Sequence, residues 1–304
     1  MQVSLFFWIG FNLFILLMLA IDLFVFNREA HRISVKEATV WTLVWIALAL
    51  LFNLFILIRF GKGIALEFLT CYVIEKSLSV DNIFVFILIF SFFSVDERYQ
   101  HRILFWGILG AIIMRAVFIF AGIALINRFH WIVIFFGLFL LFTGIRMITH
   151  HDMKVDPEKN IIVKFFRKFL PVTESLHEGR LFVREHGRFY ATPLFLVLLV
   201  IESSDLIFAV DSIPAILAIS KDMFIVYTSN VLAILGLRSL YFAVAGIIQM
   251  FRHLKTGLAL ILTFVGIKML VSYFDLEIPV VISLIIIVSI LTISVLYSIR
   301  HKEE

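Results

Sequence analysis

Residues 205–213 read DLIFAVDSI, and residues 75–83 read EKSLSVDNI. When Asp211 is aligned with Asp81, each segment shows an acidic residue, five further residues, and then Asp followed by Asn or Ser and by Ile. A pattern repeated at fixed spacing indicates an internal duplication, which is the first feature to establish in an unknown fold. The alignment places acidic residues at equivalent positions in two halves of the chain.

The duplication continues downstream of these segments. Residues 142–148 (FTGIRMI) resemble residues 264–270 (FVGIKML), with glycine over glycine and arginine over lysine. The two copies therefore cover 64–149 and 192–274. A hydrophilic segment, 150–191, lies between them.

Both copies lie in strongly apolar sequence. The 304 residues are 62% apolar and only 16% charged, whereas a typical globular domain is about 45–50% apolar and about 25% charged. A soluble fold cannot bury so much apolar surface, which excludes a soluble enzyme, a disordered chain and a disulfide-stapled secreted module. The net charge of +4 does not indicate a nucleic-acid partner, because membrane proteins collect Lys and Arg in cytoplasmic loops. We predict an all-α integral membrane protein embedded in a lipid bilayer.

Nine stretches are long enough to cross a bilayer as helices, since a transmembrane helix needs about 20 apolar residues. They are continuously apolar instead of alternating, which favours helices over a barrel. They cover 5–26, 38–58, 64–93, 103–126, 131–149, 192–219, 224–250, 257–274 and 280–299. Each copy of the duplication contains three, an odd number, so the second copy must enter the membrane in the opposite sense. Inverted repeats of this kind are common in secondary transporters, whose sites lie near the midplane between the repeats.

This reasoning divides the chain into five parts. Residues 1–63 form two peripheral helices, 64–149 the first repeat, 150–191 a cytoplasmic loop, 192–274 the second repeat, and 275–304 a last helix with a cytoplasmic tail. We expect the first helix of each repeat to be central and antiparallel to its counterpart. Glycines predict close helix contacts at four positions: Gly107, Gly110, Gly137 and Gly144.

Basic residues predict the orientation. With the N-terminus outside, 18 of the 26 Lys and Arg residues fall on the inner side and 4 on the outer side. Cytoplasmic segments carry the excess of basic residues, so the N-terminus is predicted outside and the C-terminus in the cytoplasm. The basic amphipathic stretch Ile161–Leu170 (IIVKFFRKFL) in the loop fits either a helix on the anionic inner leaflet or a docking site for a cytoplasmic protein.

Seven carboxylates fall within the predicted spans: Asp22, Glu67, Glu75, Asp81, Glu202, Asp205 and Asp211. A charge at the centre of a transmembrane helix costs about 2.5–3.5 kcal/mol, so protonation, basic side chains or a bound cation must compensate. Only four basic residues lie in the same spans: Lys76, Arg115, Arg238 and Lys268. We expect the two arginines to pair with buried acids. The remaining negative charge suits a divalent cation that exchanges with protons.

Five of these acids are predicted to converge on one cation site near mid-membrane, with two neutral oxygen donors beside them. The predicted site comprises Glu75, Asp81, Asn82, Glu202, Asp205, Asp211 and Ser212. A set of oxygen donors suits Mg²⁺, Ca²⁺ or Mn²⁺ better than Zn²⁺ or Cu⁺. Because ligands must be deprotonated, metal binding should release protons and weaken on acidification.

Helical spacing supports part of this site. Glu202 and Asp205 are three residues apart and share a helix face. The seven-residue spacing from Glu75 to Asn82 nearly aligns those two side chains, and the second repeat has the same spacing. Asp211 would point elsewhere on an ideal helix. Because Pro214 lacks a backbone N–H, we expect a local helix break that turns Asp211 toward the other acids.

An intramembrane aspartyl protease is the competing chemistry, with Asp81 and Asp211 as its two carboxylates. Such proteases carry Tyr-Asp and Gly-x-Gly-Asp, whereas Val80 and Val210 precede the aspartates here. That hypothesis also leaves the other acids unexplained. We therefore expect no enzymatic activity and no cofactor.

The two acidic segments resemble a known family. Glu67–Phe86 (EFLTCYVIEKSLSVDNIFVF) and Glu202–Ala215 (ESSDLIFAVDSIPA) closely resemble the two signature segments of the TerC family, in particular its Alx-like members. Asp22–Arg28 (DLFVFNR) resembles the first-helix segment of that family, which belongs to the LysE-type transporter group. One departure is Cys71, where the family pattern leads us to expect glycine.

The resemblance implies a function and a location. It implies metal-site roles for the seven predicted site residues, in a multi-pass protein of a bacterial inner membrane. It also implies export of manganese as the substrate ion, with protons as a candidate coupling ion. An alternative implied by the same family is a membrane partner that supplies metal to exported enzymes, or a scaffold associated with tellurite resistance. In that alternative the 150–191 loop would contact the protein partner.

Overall fold

A computed structural model describes residues 4–21, 34–93, 95–129, 131–149, 172–173, 180–185, 188–245, 254–274, 276 and 278–300. Within these ranges, the side chains of Asp81 and Asp211 lie outside the description. The described chain forms ten helices and one short β-hairpin. The helices are α1 (Leu5–Ile21), α2 (Val35–Phe60), α3 (Lys62–Phe92), α4 (Glu97–Arg128), α5 (Ile132–Thr149), α6 (Pro193–Leu217), α7 (Met223–Leu235), α8 (Leu237–Ala245), α9 (Leu254–Ser272) and α10 (Val280–Arg300).

Several helices begin where the sequence supplies a capping group. The Ser34 side chain accepts a hydrogen bond from the Glu37 backbone N–H before α2, and Asp222 accepts from two backbone N–H groups at the start of α7. Pro193 occupies the first position of α6, where its fixed φ is compatible with the helix and its missing N–H is not needed. These caps satisfy backbone donors that a helix start leaves unpaired.

Five described helices are long and apolar enough to cross a membrane: α2, α4, α5, α6 and α10. A sixth span results if α7 and α8, which meet at an angle of 41°, count as one broken helix. Helix α3 has 31 residues but carries several ionisable side chains, including Glu75 and Lys76. Large apolar side chains such as Phe6, Ile58 and Val117 are exposed on the outside of the bundle, as expected for a surface in contact with lipid. The count of nine spans stays a prediction.

Helices α3 and α6 pack against each other in antiparallel directions. The Cys71 thiol lies 3.9 Å from the Ile216 carbonyl, and Asn82 Nδ2 lies 3.4 Å from Asp205 Oδ1. Residue numbers therefore rise along α3 as they fall along α6. The expected antiparallel packing of these two helices is confirmed, while the inverted relation of the complete repeats stays a prediction.

Helices α5 and α9 approach closely at glycines. A Cβ atom placed on Gly144 would lie 2.7 Å from the Ala259 carbonyl oxygen, and one on Gly266 would lie 2.7 Å from the Leu141 backbone nitrogen. In α4, a Cβ on Gly107 would touch Ile201 of α6 at 3.4 Å. The prediction that glycines allow close helix contacts is therefore confirmed at Gly107 and Gly144, and Gly266 makes a further close contact.

The helix break lies elsewhere than predicted. Helix α6 runs without interruption from Pro193 to Leu217 and contains Pro214 in its last turn, so the expected break beside Asp211 is wrong. A proline near a helix end loses a single backbone hydrogen bond, which neighbouring packing tolerates. The bundle is broken instead at Gly236, between α7 and α8.

The segment between the predicted repeats contains the only strands among the described residues. Strands β1 (Phe182–Glu185) and β2 (Arg188–Ala191) form an antiparallel hairpin in which Phe182 pairs with Ala191. The Thr192 hydroxyl donates a hydrogen bond to the Arg180 carbonyl at 2.6 Å, which ties the hairpin to the start of α6. The described chain is mostly helical, in agreement with the predicted all-α membrane protein, and this hairpin is a small addition to that fold. The amphipathic stretch 161–170 lies outside the described residues.

Candidate cation site within the bundle

Two acidic side chains lie at the interface of α3 and α6. Glu75 of α3 has no exposed surface, and Asp205 of α6 is 3% exposed. Each occupies the first position of its repeated sequence segment, so the antiparallel packing brings the two equivalent acids into the same buried region. Two buried carboxylates in a region of low dielectric repel each other strongly unless a positive charge lies between them.

Arg115 of α4 supplies that positive charge. Its Nη1 forms an ion pair with Glu75 Oε1, and Nη2 lies 3.0 Å from Asp205 Oδ1. Nε lies 3.3 Å from Asp205 Oδ2, so the guanidinium holds both oxygens of this carboxylate. Such a two-point contact matches the planar fork of arginine. The sequence-based expectation that Arg115 pairs with buried acids is confirmed.

The two predicted neutral donors lie in the same cluster. Asn82 Nδ2 donates to Asp205 Oδ1 at 3.4 Å, and Arg115 Nη1 donates to Ser212 Oγ at 3.3 Å. Both side chains are buried. Asn82 of α3 therefore lies beside Asp205 of α6. Ser212 of α6 and Glu75 of α3 both contact the Arg115 guanidinium. The structure thus brings four of the seven predicted site residues around one guanidinium.

Glu202 lies at the edge of this cluster. It is partly buried on α6, and a Cβ on Gly110 of α4 would collide with its carboxylate. Glycine at position 110 therefore provides the space that the carboxylate occupies. Within the described part of the chain, the Glu202 carboxylate forms no ion pair or hydrogen bond.

For the remaining predicted ligands, the structure describes the backbone position but not the side chain. Asp81 lies on α3 and Asp211 on α6, but their side chains lie outside the described residues, and Asp22 does so entirely. No group of three or more His, Cys, Asp or Glu side chains placed to hold a metal is found among the residues that the structure describes. Convergence of all five acids therefore stays a prediction.

Other buried polar atoms in this region have spare bonding capacity. Glu75 Oε2 and Ser79 Oγ are buried, and neither has a hydrogen-bond partner among the described residues. Glu75 and Ser79 are one helical turn apart on α3, so they share a face. The sequence-based site omitted Ser79, although its position four residues after Glu75 is the signal that could have identified it. Buried polar atoms without partners are rare in proteins and call for an explanation such as a bound ion.

The other basic residues of the predicted spans lie in separate environments. Lys76 Nζ donates to the Ala233 carbonyl at 3.1 Å, and Lys268 Nζ lies 2.9 Å from Ser283 Oγ. Arg238 Nη1 lies 2.8 Å from His101 Nε2. Arg115, by contrast, contacts the first acids of both repeated segments.

Comparison with known proteins identifies the family. The pattern of the integral membrane protein TerC family matches residues 60–304. Membrane protein STKORF319 of Myxococcus xanthus is 47% identical over 297 residues, which cover 97% of this chain and 93% of that protein. In Escherichia coli K12, a protein described as a candidate membrane-bound redox modulator, Alx, is 47% identical over 94% of this chain and 92% of its own length. The Salmonella typhi protein with the same description is 46% identical over 98% of this chain and 95% of its own length.

No solved structure matches the chain. The family match covers most of the sequence, and the relatives extend over nearly all of it at more than 40% identity. With several apolar helices of spanning length, these findings make the chain a multi-pass membrane protein. It belongs to the TerC family of integral membrane proteins.

Proposed function

We propose that this protein exports a divalent metal cation, with Mn²⁺ as the substrate, by alternating access around the acidic cluster of α3 and α6. The observation that carries the proposal is the meeting of Glu75 and Asp205, with Asn82 and Ser212, at one buried point between antiparallel helices. Ionisable side chains inside a membrane bundle are costly and mark ion pathways. Sites of secondary transporters lie at such interfaces between repeats.

The donor chemistry supports a hard divalent ion. The cluster offers carboxylate, amide and hydroxyl oxygens, which suit Mn²⁺, Mg²⁺ or Ca²⁺. Two carboxylates balance the charge of one divalent cation. The family resemblance, and not the geometry, selects Mn²⁺ and the outward direction.

A redox function based on thiols gains no support from this chain. Two of the relatives are described as membrane-bound redox modulators. Cys71 is the single cysteine of the sequence and is buried against α6. A lone buried thiol cannot form a disulfide within the chain.

Transport in reconstituted vesicles tests the proposal. The purified protein should carry Mn²⁺ across the membrane of vesicles that contain a Mn²⁺-quenched dye. Asp205→Asn and Glu75→Gln keep the side-chain shapes and each remove a charge, so each should reduce the initial rate to below about a tenth of wild type. Glu97→Gln, which changes an exposed carboxylate at the start of α4, is the matched control and should transport normally.

Two outcomes would change the conclusion. Normal transport by both variants at matched protein levels would exclude the cluster as the transport site. Binding of Mn²⁺ by the wild-type protein without transport would contradict an exporter and would favour a membrane partner that hands metal to exported enzymes.

A further inference from the structure

Arg115 occupies the oxygens that the proposed metal would use. Its guanidinium contacts both carboxylate oxygens of Asp205, at 3.0 and 3.3 Å, and pairs with Glu75. A divalent cation would need the same oxygens at about 2.0–2.6 Å. A guanidinium that holds both oxygens of Asp205 therefore competes with the metal for these carboxylates, and its positive charge repels the ion.

The arginine leaves part of the available bonding capacity unused. Glu75 Oε2 and Ser79 Oγ are buried without hydrogen-bond partners in the described structure. A planar guanidinium directs its donors within one plane, whereas a metal ion collects oxygens from all directions. The cluster therefore offers oxygen ligands beyond those that Arg115 satisfies.

A second acid lies within one helical turn of the position that Arg115 occupies. Helices α4 and α6 run parallel, because Gly107 lies against Ile201 and Gly122 lies against Leu217. Glu202 faces α4 at Gly110, on the same face of α6 as Asp205. The three-residue separation corresponds to a rise of about 4.5 Å, a distance that the long, flexible side chain of an arginine on the neighbouring helix can cover by changing rotamer.

We propose that Arg115 is a tethered counter-ion that occupies the cation site when metal is absent and moves one helical turn to Glu202 when metal binds. The inference rests on the proposed function of the cluster. Metal binding then transfers the guanidinium from Asp205 and Glu75 to Glu202, with no change in covalent structure. Arg115 is a positioning residue in this scheme, since it never contacts the metal.

The described charges of this scheme balance when a divalent metal is bound, and only in part when it is absent. Without metal, Arg115 offsets part of the charge of Glu75 and Asp205. With metal, the two carboxylates neutralise a divalent ion, while Arg115 and Glu202 neutralise each other. A monovalent ion would leave one carboxylate of the pair uncompensated in a region of low dielectric, which is costly. The displacement of Arg115 therefore favours divalent over monovalent cations.

Mn²⁺ binding to the purified full chain, measured by isothermal titration calorimetry, tests the first step. Arg115→Met removes the competing cation and keeps much of the side-chain volume, so Mn²⁺ should bind about tenfold more tightly or better. Arg238→Met, which changes another buried arginine of the bundle, is the matched control and should bind Mn²⁺ as the wild type does. Unchanged or weaker binding by Arg115→Met, beside measurable wild-type binding, would overturn the inference but leave the cation site intact.

Glu202→Gln tests the second step and does not depend on whether Arg115→Met folds. This variant should weaken Mn²⁺ binding about fivefold or more. The melting temperature of the metal-free protein should stay unchanged, because Glu202 has no ion pair or hydrogen bond among the residues that the structure describes. Undiminished binding would overturn the inference. In the Arg115→Met background, Glu202→Gln should have no effect on affinity. An equal loss in both backgrounds would make Glu202 a direct metal ligand and would also overturn the proposal.

A wild-type protein that binds no Mn²⁺ would overturn the proposed function together with this inference. Binding that is lost in Asp205→Asn, with the Arg115 and Glu202 variants behaving like wild type, would overturn the inference alone. The electron paramagnetic resonance spectrum of bound Mn²⁺ provides a check that is independent of affinity. It should be the same in Glu202→Gln as in wild type if Glu202 is not a ligand.

Discussion

At the residue scale, the environment of Arg115 decides the chemistry of the bundle. One guanidinium satisfies Glu75, Asp205 and Ser212, which come from two other helices. Removing one partner of such a buried pair usually costs about 3–5 kcal/mol, because the other charge remains buried and uncompensated. In the scheme proposed above, metal binding would avoid this cost by replacing one cation with another. The cluster can therefore exchange its positive charge, although neither carboxylate could be left alone.

Gly110→Ala provides a test at this scale. The added Cβ would collide with the Glu202 carboxylate, so the carboxylate must move while the backbone of α4 and α6 can stay in place. We expect near-normal protein levels and a loss of Mn²⁺ affinity similar to that of Glu202→Gln, measured by calorimetry. Gly63→Ala is the control, because no atom lies within 4 Å of its added Cβ. If Gly110→Ala binds Mn²⁺ as tightly as this control, the position of Glu202 has no influence on the site.

At the element scale, the break between α7 and α8 is stabilised by a residue of α3. Lys76 Nζ donates to the Ala233 carbonyl, and a Cβ on Gly236 would lie only 2.8 Å from the same nitrogen. The end of α7 leaves carbonyl groups without intrahelical partners and carries a partial negative charge. The Lys76 ammonium supplies both a hydrogen-bond donor for a carbonyl and a positive charge at this helix end. The absence of a side chain at Gly236 leaves room for it.

Lys76→Met should therefore destabilise the fold at this break. The substitution leaves the Ala233 carbonyl buried without its donor, and hydrogen bonds to charged groups contribute about 1.5–3 kcal/mol. We expect the apparent melting temperature of the purified protein to fall by several degrees. Lys221→Met, at an exposed lysine just before α7, should melt like the wild type. Equal melting temperatures for the two variants would show that Lys76 does not stabilise the break.

At the scale of the whole molecule, charge predicts the orientation in the membrane. The 18-to-4 distribution of basic residues predicts that the hairpin of β1 and β2 lies in the cytoplasm and the turn before α7 outside. The antiparallel packing of α3 and α6 fits this arrangement, because an inverted repeat requires its first helices to run in opposite directions. The exposed apolar surface of the outer helices then faces lipid.

Cysteine labelling tests this orientation. In a Cys71→Ala background, Arg180→Cys should react with a membrane-impermeant maleimide only after the cytoplasmic side is opened, and Lys221→Cys should react in intact cells. Both positions are exposed in the structure. Labelling of Arg180→Cys from outside would refute the predicted orientation. Labelling of both positions from the same side would also contradict the hypothesis of an inverted repeat.

The sequence alone determined the membrane class, the family and the buried interface of α3 and α6. Continuous apolar runs have few alternatives to transmembrane helices, and the repeated acids at 75 and 205 identified equivalent helices. Helical spacing and the duplication align Glu75 with Asn82 and Asp205 with Ser212, and these four side chains lie close together in the structure. Their role as metal ligands stays a prediction.

Only the tertiary structure showed which basic side chain pairs with these acids and at which residue the helix bundle is interrupted. The sequence identified Arg115 as a partner for buried acids, but it could not say which acids, because the packing of α4 against α6 decides that distance. Pro214 suggested a break in α6, yet the break lies at Gly236, where Lys76 of another helix donates to the Ala233 carbonyl. Spacing along one helix determines which side chains share a face, whereas contacts between helices depend on how close their backbones can approach.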